Sequence, residues 1–161
     1  METEWSRIRR EFGAAFSSSL HFAIATVAPD GAPHVAPIGS VLLQEPGRGV
    51  YFEEFPQRMP EHLRENAKIC VLAVNSSRWF WVGALLRGRF ERPPALRLYG
   101  TAGVRRRASE REVARWQRRV RALRFTKGHR QMWSGMQTVR ELQFTGFDFV
   151  RLGKMTEGLK S

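Results

Sequence analysis

The sequence predicts an α+β fold, a small antiparallel β-barrel of six or seven strands with two or three helices interposed. Three observations lead there. Short apolar runs (Leu20–Ala28, His34–Leu43, Val50–Glu53, Lys68–Asn75) are separated by turn clusters such as "PDGAP" and "EPGRG", the pattern of a meander with short connections. Both faces of the first run are apolar, so both need covering, and closure also removes exposed edges. A length of 161 residues favours one domain, residues 1–161, around one core.

The elements follow in order. Trp5, Ile8, Phe12 and Phe16 recur at helical spacing, which predicts a helix over Glu4–Phe16. In Leu20–Ala28, Leu20, Phe22, Ile24 and Thr26 share one face and Ala23, Ala25 and Val27 the other. Proline, aspartate and glycine in "PDGAP" each favour a turn position. His34–Leu43 returns as a second strand and Val50–Glu53 forms a third. Glu61–Asn66 suits a short helix, and "KICVLAVN" (Lys68–Asn75) reads as a buried strand. Arg78–Phe90 and Ala95–Arg107 read as extended stretches around an "RPP" turn, with Trp79 and Trp81 on one strand face. Ser109 and Glu112 form a capping box that opens a helix to about Phe125, with Val113, Trp116, Val120 and Leu123 as its apolar stripe. Thr138–Leu152 closes the fold as a strand interrupted at Gly146.

Composition narrows the function. Apolar residues make up 42% and charged residues 26%, ordinary for a globular chain. The longest uncharged apolar stretch, Trp79–Leu86, is too short to span a bilayer. "METEWSRIRREF" lacks the apolar core of a signal peptide. Cys70 is the lone cysteine, so no internal disulfide forms, and a reducing cytoplasm is the expected compartment. The four histidines show no ligand spacing, so no metal site is expected. The net charge is +12; Arg105–Arg130 holds eleven Lys/Arg and two Glu, and so supplies +9 of it. A nucleic-acid-binding module is one reading of that segment. A solvated helix face or dimer rim is the preferred one, because charge runs usually are that and aromatics do not interleave with the arginines on the exposed face as a single-strand stacking surface requires. Neither a glycine-rich phosphate loop nor a G-x-S-x-G elbow occurs.

Pro37 and Gly39 pose the sharpest question. Proline removes a ladder donor, and a strand glycine often marks close approach to the backbone. An unpaired stretch there needs partners: a flat heterocycle would supply them, and a bulge bending the strand is the alternative. "FAIATVAPDGAPHVAPIGSV" followed by "GVYFEEFPQRMPEHLRENAKICVLAV" resembles the flavin-binding split-barrel superfamily, which includes the pyridoxamine-phosphate oxidases. The resemblance spans Phe22–Val74 and implies a split β-barrel with peripheral helices, an obligate homodimer, and FMN at the interface. It places the flavin ring against Pro37, Ile38, Gly39 and Ser40, and the phosphate in the Gln57-Arg58-Met59 loop. Glu53 stands beside that loop, and Trp133 is a candidate cover for the ring. Pro37 and Leu42 replace an arginine and a lysine of the oxidases, which points away from pyridoxamine phosphate as substrate. The implied activity is oxidoreduction of an unidentified small molecule, with no protein acid or base assigned; a flavin-binding sensor without turnover is the alternative. Trp79 and Trp81 are candidates for a pocket wall, a dimer surface or core. Arg97, Arg105, Arg106 and Arg107 are candidates for anion recognition or for a solvated surface.

Overall fold

A computed structural model describes residues 1–54, 58–128 and 135–159. Helix α1 (Trp5–Ser19) precedes strands β1 (Phe22–Val27), β2 (Pro33–Ile38), β3 (Leu42–Leu43) and β4 (Arg48–Phe52). Helix α2 (Met59–Glu65), β5 (Lys68–Val74), α3 (Arg78–Arg87), β6 (Ala95–Arg107), α4 (Glu110–Arg119) and β7 (Thr138–Phe149) follow. The strands form one antiparallel sheet in the order β2-β1-β5-β6-β7-β4-β3.

The two end strands, β2 and β3, are consecutive in the chain. Hydrogen bonds do not close the sheet; Gly39, Ser40 and Val41 carry the chain from one edge to the other. The architecture is an α+β split barrel, and the expected continuous strand His34–Leu43 is two strands on opposite edges.

One face of the sheet makes the core. Phe22 and Ile24 of β1, Val71 of β5 and Leu96 and Leu98 of β6 are buried there with Trp5, Ile8, Phe12 and Phe16 of α1. Phe12 stacks on Phe22 with ring centroids 3.9 Å apart. Ala23, Ala25, Cys70, Leu72 and Val74 point the other way and are only half-buried, while Val35, Pro37 and Tyr99 are exposed. One chain therefore covers one face of these apolar strands.

The long strands β6 and β7 shift register at Tyr99/Gly100 and at Ala102/Arg105. A Cβ at Gly100 would lie 2.0 Å from the Gln143 carbonyl oxygen, so only glycine fits this bend. The strand runs through Gly146, which sits opposite Tyr99, and ends at Phe149 rather than Leu152.

Two further expectations change. Arg78–Arg87 is a helix, not a strand. Ser77 caps it by accepting the Phe80 N–H, and Gly88 stops it in the left-handed conformation at φ 65°. The aromatic and branched residues mimic a strand because the segment is apolar all round and shows no helical period. Helix α4 is shorter than its stripe suggests: it ends at Arg119 and tightens into a 3₁₀ turn over Arg121–Leu123.

Candidate functional site

The crossover between the sheet edges organises the candidate site. Pro37 keeps its register with Ala23 and tolerates its missing donor because β2 is an edge strand. Gly39 is required by close approach: a Cβ there would stand 2.9 Å from the Leu20 carbonyl oxygen. The buried Ser40 hydroxyl donates to the Phe52 carbonyl and accepts the Phe52 N–H, each at 3.1 Å. This pair stitches the crossover to the end of β4, from which the chain runs toward Arg58.

The basic helix supplies the other partners. Arg119 donates to the Val41 carbonyl at 2.5 Å and Arg115 to the Leu43 carbonyl at 2.9 Å. Both acceptors belong to the short edge segment around β3, which has one strand neighbour. The Arg119 guanidinium also lies 4.8 Å from the centroid of the Phe16 ring. Burial and the neighbouring Arg115 push its pKa down to about 10, so it stays cationic at neutral pH. The solvated-face reading therefore fails for these two arginines. Spacing places them off the apolar stripe but does not show what lies beside the helix.

Helix α4 is anchored twice. Trp116 is fully buried, its ring 6.0 Å from that of Phe52. The capping box forms as expected, and Glu112 also accepts two N–H bonds from Arg106, at 2.8 and 2.9 Å, and one from Gln44 at 2.7 Å. The Arg106 bonds hold the Glu112 carboxyl down to about 2. A depressed pKa stabilises the fold above the unfolded carboxyl's range, near 4.5, and that contribution is lost as pH falls toward 2. The stability gap between the native protein and Glu112→Gln should thus be full at pH 6 and shrink between about pH 5 and 2. Denaturant unfolding across that range measures it, and a constant gap contradicts the assignment.

Glu53 is a structural anion. Its side chain is 1% exposed; Arg140 grips both oxygens at 2.6 and 2.9 Å, Tyr51 donates its hydroxyl, and Arg105 approaches to 3.3 Å. Burial, then the bond to Glu53, pushes the Tyr51 hydroxyl pKa well up, so it keeps its proton. Two guanidiniums neutralise this carboxylate, so it does not act as a free anion toward a nearby phosphate. Glu54 accepts the backbone N–H groups of Gln137 and Thr138. Arg97 pairs with Asp148, Arg105 with Glu53, and Arg106 with Glu112 and Glu141, so these three are not free for an anionic substrate.

Arg58 immediately precedes α2 and is exposed, with no carboxylate in ion-pair range among the described residues. The Met59 side chain is buried in the core, which leaves only its main chain for a ligand. Gln57 and Trp133 lie outside the described residues. A histidine pair not legible in the spacing steadies this helix. The buried His62 places Nδ1 3.1 Å from the Thr26 hydroxyl, and His34 stacks edge-on at 4.8 Å between centroids. These contacts pin α2 to β1 and β2 one turn beyond Arg58, whose carbonyl accepts the His62 N–H at 3.2 Å. Only the sheet order brings residues 26, 34 and 62 together. Among the described residues no cluster of three metal-ligating side chains forms.

The family model described as pyridoxamine 5'-phosphate oxidase matches residues 8–151. The chain belongs to this family. Solved structures agree on the oxidase fold. An FMN-binding protein from Syntrophomonas wolfei subsp. wolfei superposes with a TM-score of 0.60 at 13% identity, covering 93% of this chain and 94% of that one. An F420 reductase superposes at 0.55 and 12% identity, covering 85% and 95%. HutZ, the heme storage protein of Vibrio cholerae, gives 0.51 at 15% identity, covering 89% and 92%. No curated protein matches this chain. In this oxidase-family chain the two positions that lack the basic residues do different work: Pro37 is exposed on the β2 edge and Leu42 is buried in the core.

Proposed function

We propose that this member of the pyridoxamine 5'-phosphate oxidase family binds FMN between two copies of the chain and serves as an oxidoreductase for a small molecule. Family membership supports flavin binding, and a neighbour of the same fold is an FMN-binding protein. The observation that carries the reading is Arg58, an exposed cation without a carboxylate partner among the described residues, in the segment that follows the crossover strands. Its guanidinium suits bidentate contact with a phosphate. The neutralised Glu53 removes a repulsion that the bare sequence suggests. The main chain of Pro37 and Ile38, on the β2 edge with one strand neighbour, and of Gly39 and Ser40 in the crossover beyond it suits the edge of a flat ring.

The second copy is supported by the half-covered face of β1, β2, β5 and β6, where Ala25, Val35, Cys70, Leu72 and Tyr99 present a broad and mostly apolar surface. A closed twofold pair is the commonest way to cover such a face. FMN, when bound, supplies two-electron transfer; the protein's part is to hold the phosphate at Arg58 and the ring along the crossover.

Arg58→Ala should weaken FMN binding at least tenfold, about 1.4 kcal/mol, while leaving the fold intact. Parallel titrations of the two proteins test this, and equal affinities would remove the phosphate assignment. F420 and hemin titrated alongside distinguish the flavin from the ligands that the neighbours' names carry.

A further inference from the structure

Helix α3 is apolar on both sides yet has only one side covered. At about 100° per residue, Phe80, Trp81 and Ala84 face inward. Phe80 and Trp81 pack on Phe90 at 5.4 and 5.2 Å between centroids, and the Trp81 indole N–H donates to the Asn75 carbonyl. Trp79, Val82, Leu85 and Leu86 face out; Trp79 is 85%, Leu86 84% and Leu85 64% exposed. A helix apolar all round belongs in a core or in lipid, not in water.

We infer that the outward face of α3 docks the protein on an anionic lipid surface. Charge is the first argument. Arg78–Arg92 holds four arginines and one glutamate; the glutamate pairs with Arg87 at 3.4 Å and Arg92 pairs with the buried Glu11 at 3.7 Å, which leaves Arg78 and Arg89 for a ligand. Arg78 and Arg89 are exposed at the two ends of the helix, where long cationic side chains can reach headgroups while the apolar stripe enters the acyl boundary. A chain of net charge +12 is attracted to such a surface as a whole. Tryptophan adds to this, since its ring favours the membrane–water interface.

Area is the second argument, against a separate self-contact made by α3 alone. A stable interface takes about 800 Å² from each partner, and four side chains on one short helix fall short of that. A twofold contact through α3 would also bring two arginine-flanked patches of strongly basic chains together. Spanning is excluded on length: ten residues of helix reach about 15 Å, half of a bilayer's hydrocarbon core. No described helix is long and apolar enough to cross a membrane. The helix therefore lies in the plane of the interface.

Sedimentation with vesicles tests this. The protein should bind phosphatidylglycerol-containing vesicles at least about tenfold more tightly than pure phosphatidylcholine vesicles, and added salt should weaken the binding. Trp79→Ser/Leu86→Ser should lose at least about tenfold of that binding with its circular dichroism unchanged, because both side chains are exposed. Vesicle binding that survives the double substitution, or no binding by either protein, overturns the proposal. Self-association that the double substitution abolishes, without vesicle binding, overturns it in favour of a second copy on α3.

Discussion

Glu53→Gln should destabilise the protein by about 3–5 kcal/mol, because it leaves the Arg140 guanidinium buried without a counter-charge. The Arg140 side chain is 12% exposed and spends two of its N–H bonds on Glu53. The Tyr51 hydroxyl can still bond to the amide, so the loss isolates the charge. Replacing both partners at once, Glu53→Gln with Arg140→Met, should recover most of the stability, since no uncompensated buried charge then remains. Denaturant unfolding of the two variants measures both effects. A loss below about 1 kcal/mol for the single variant would mean that the pair behaves like a solvated one.

Trp116→Ala comes next, at about 3–5 kcal/mol for removing a fully buried indole. Its consequence is directional. Trp116 seats α4 against Phe52, and α4 presents Arg115 and Arg119 to the carbonyls of Leu43 and Val41. Loosening the helix should expose the crossover, so amide exchange in β3 and β4 should accelerate more than in β5 and β6. Uniform acceleration would mean that Trp116 supports the core generally and not the crossover in particular.

Much of this architecture was legible in residue patterns, and the misses have physical causes. Turn chemistry marks the meander, and the Ser109–Glu112 box marks the start of α4 to the residue. The α3 error came from composition. A segment apolar all round carries no period, and its real signals were the cap at Ser77 and the stop at Gly88. The split in His34–Leu43 was half visible: Pro37 and Gly39 marked an irregularity, but only the sheet order shows that the chain changes edges there. Its partners, Ser40 with Phe52 and Arg119 with Val41, are separated by 12 and 78 residues. The His34–Thr26–His62 cluster was invisible for the same reason. Charge counts identified the basic segment but not its pairing, because a guanidinium on a carbonyl and one in water look alike in sequence.

The central claim is that two copies of this chain hold flavin between them, and sedimentation velocity recorded at the flavin's visible absorbance tests it most directly. With FMN and chain both at low micromolar concentration, near the affinity that a phosphate grip and ring burial support (about −8 kcal/mol), flavin should move with a two-chain particle. Flavin left behind in the slow boundary at about 100 μM FMN, or carried by a single chain, contradicts the claim.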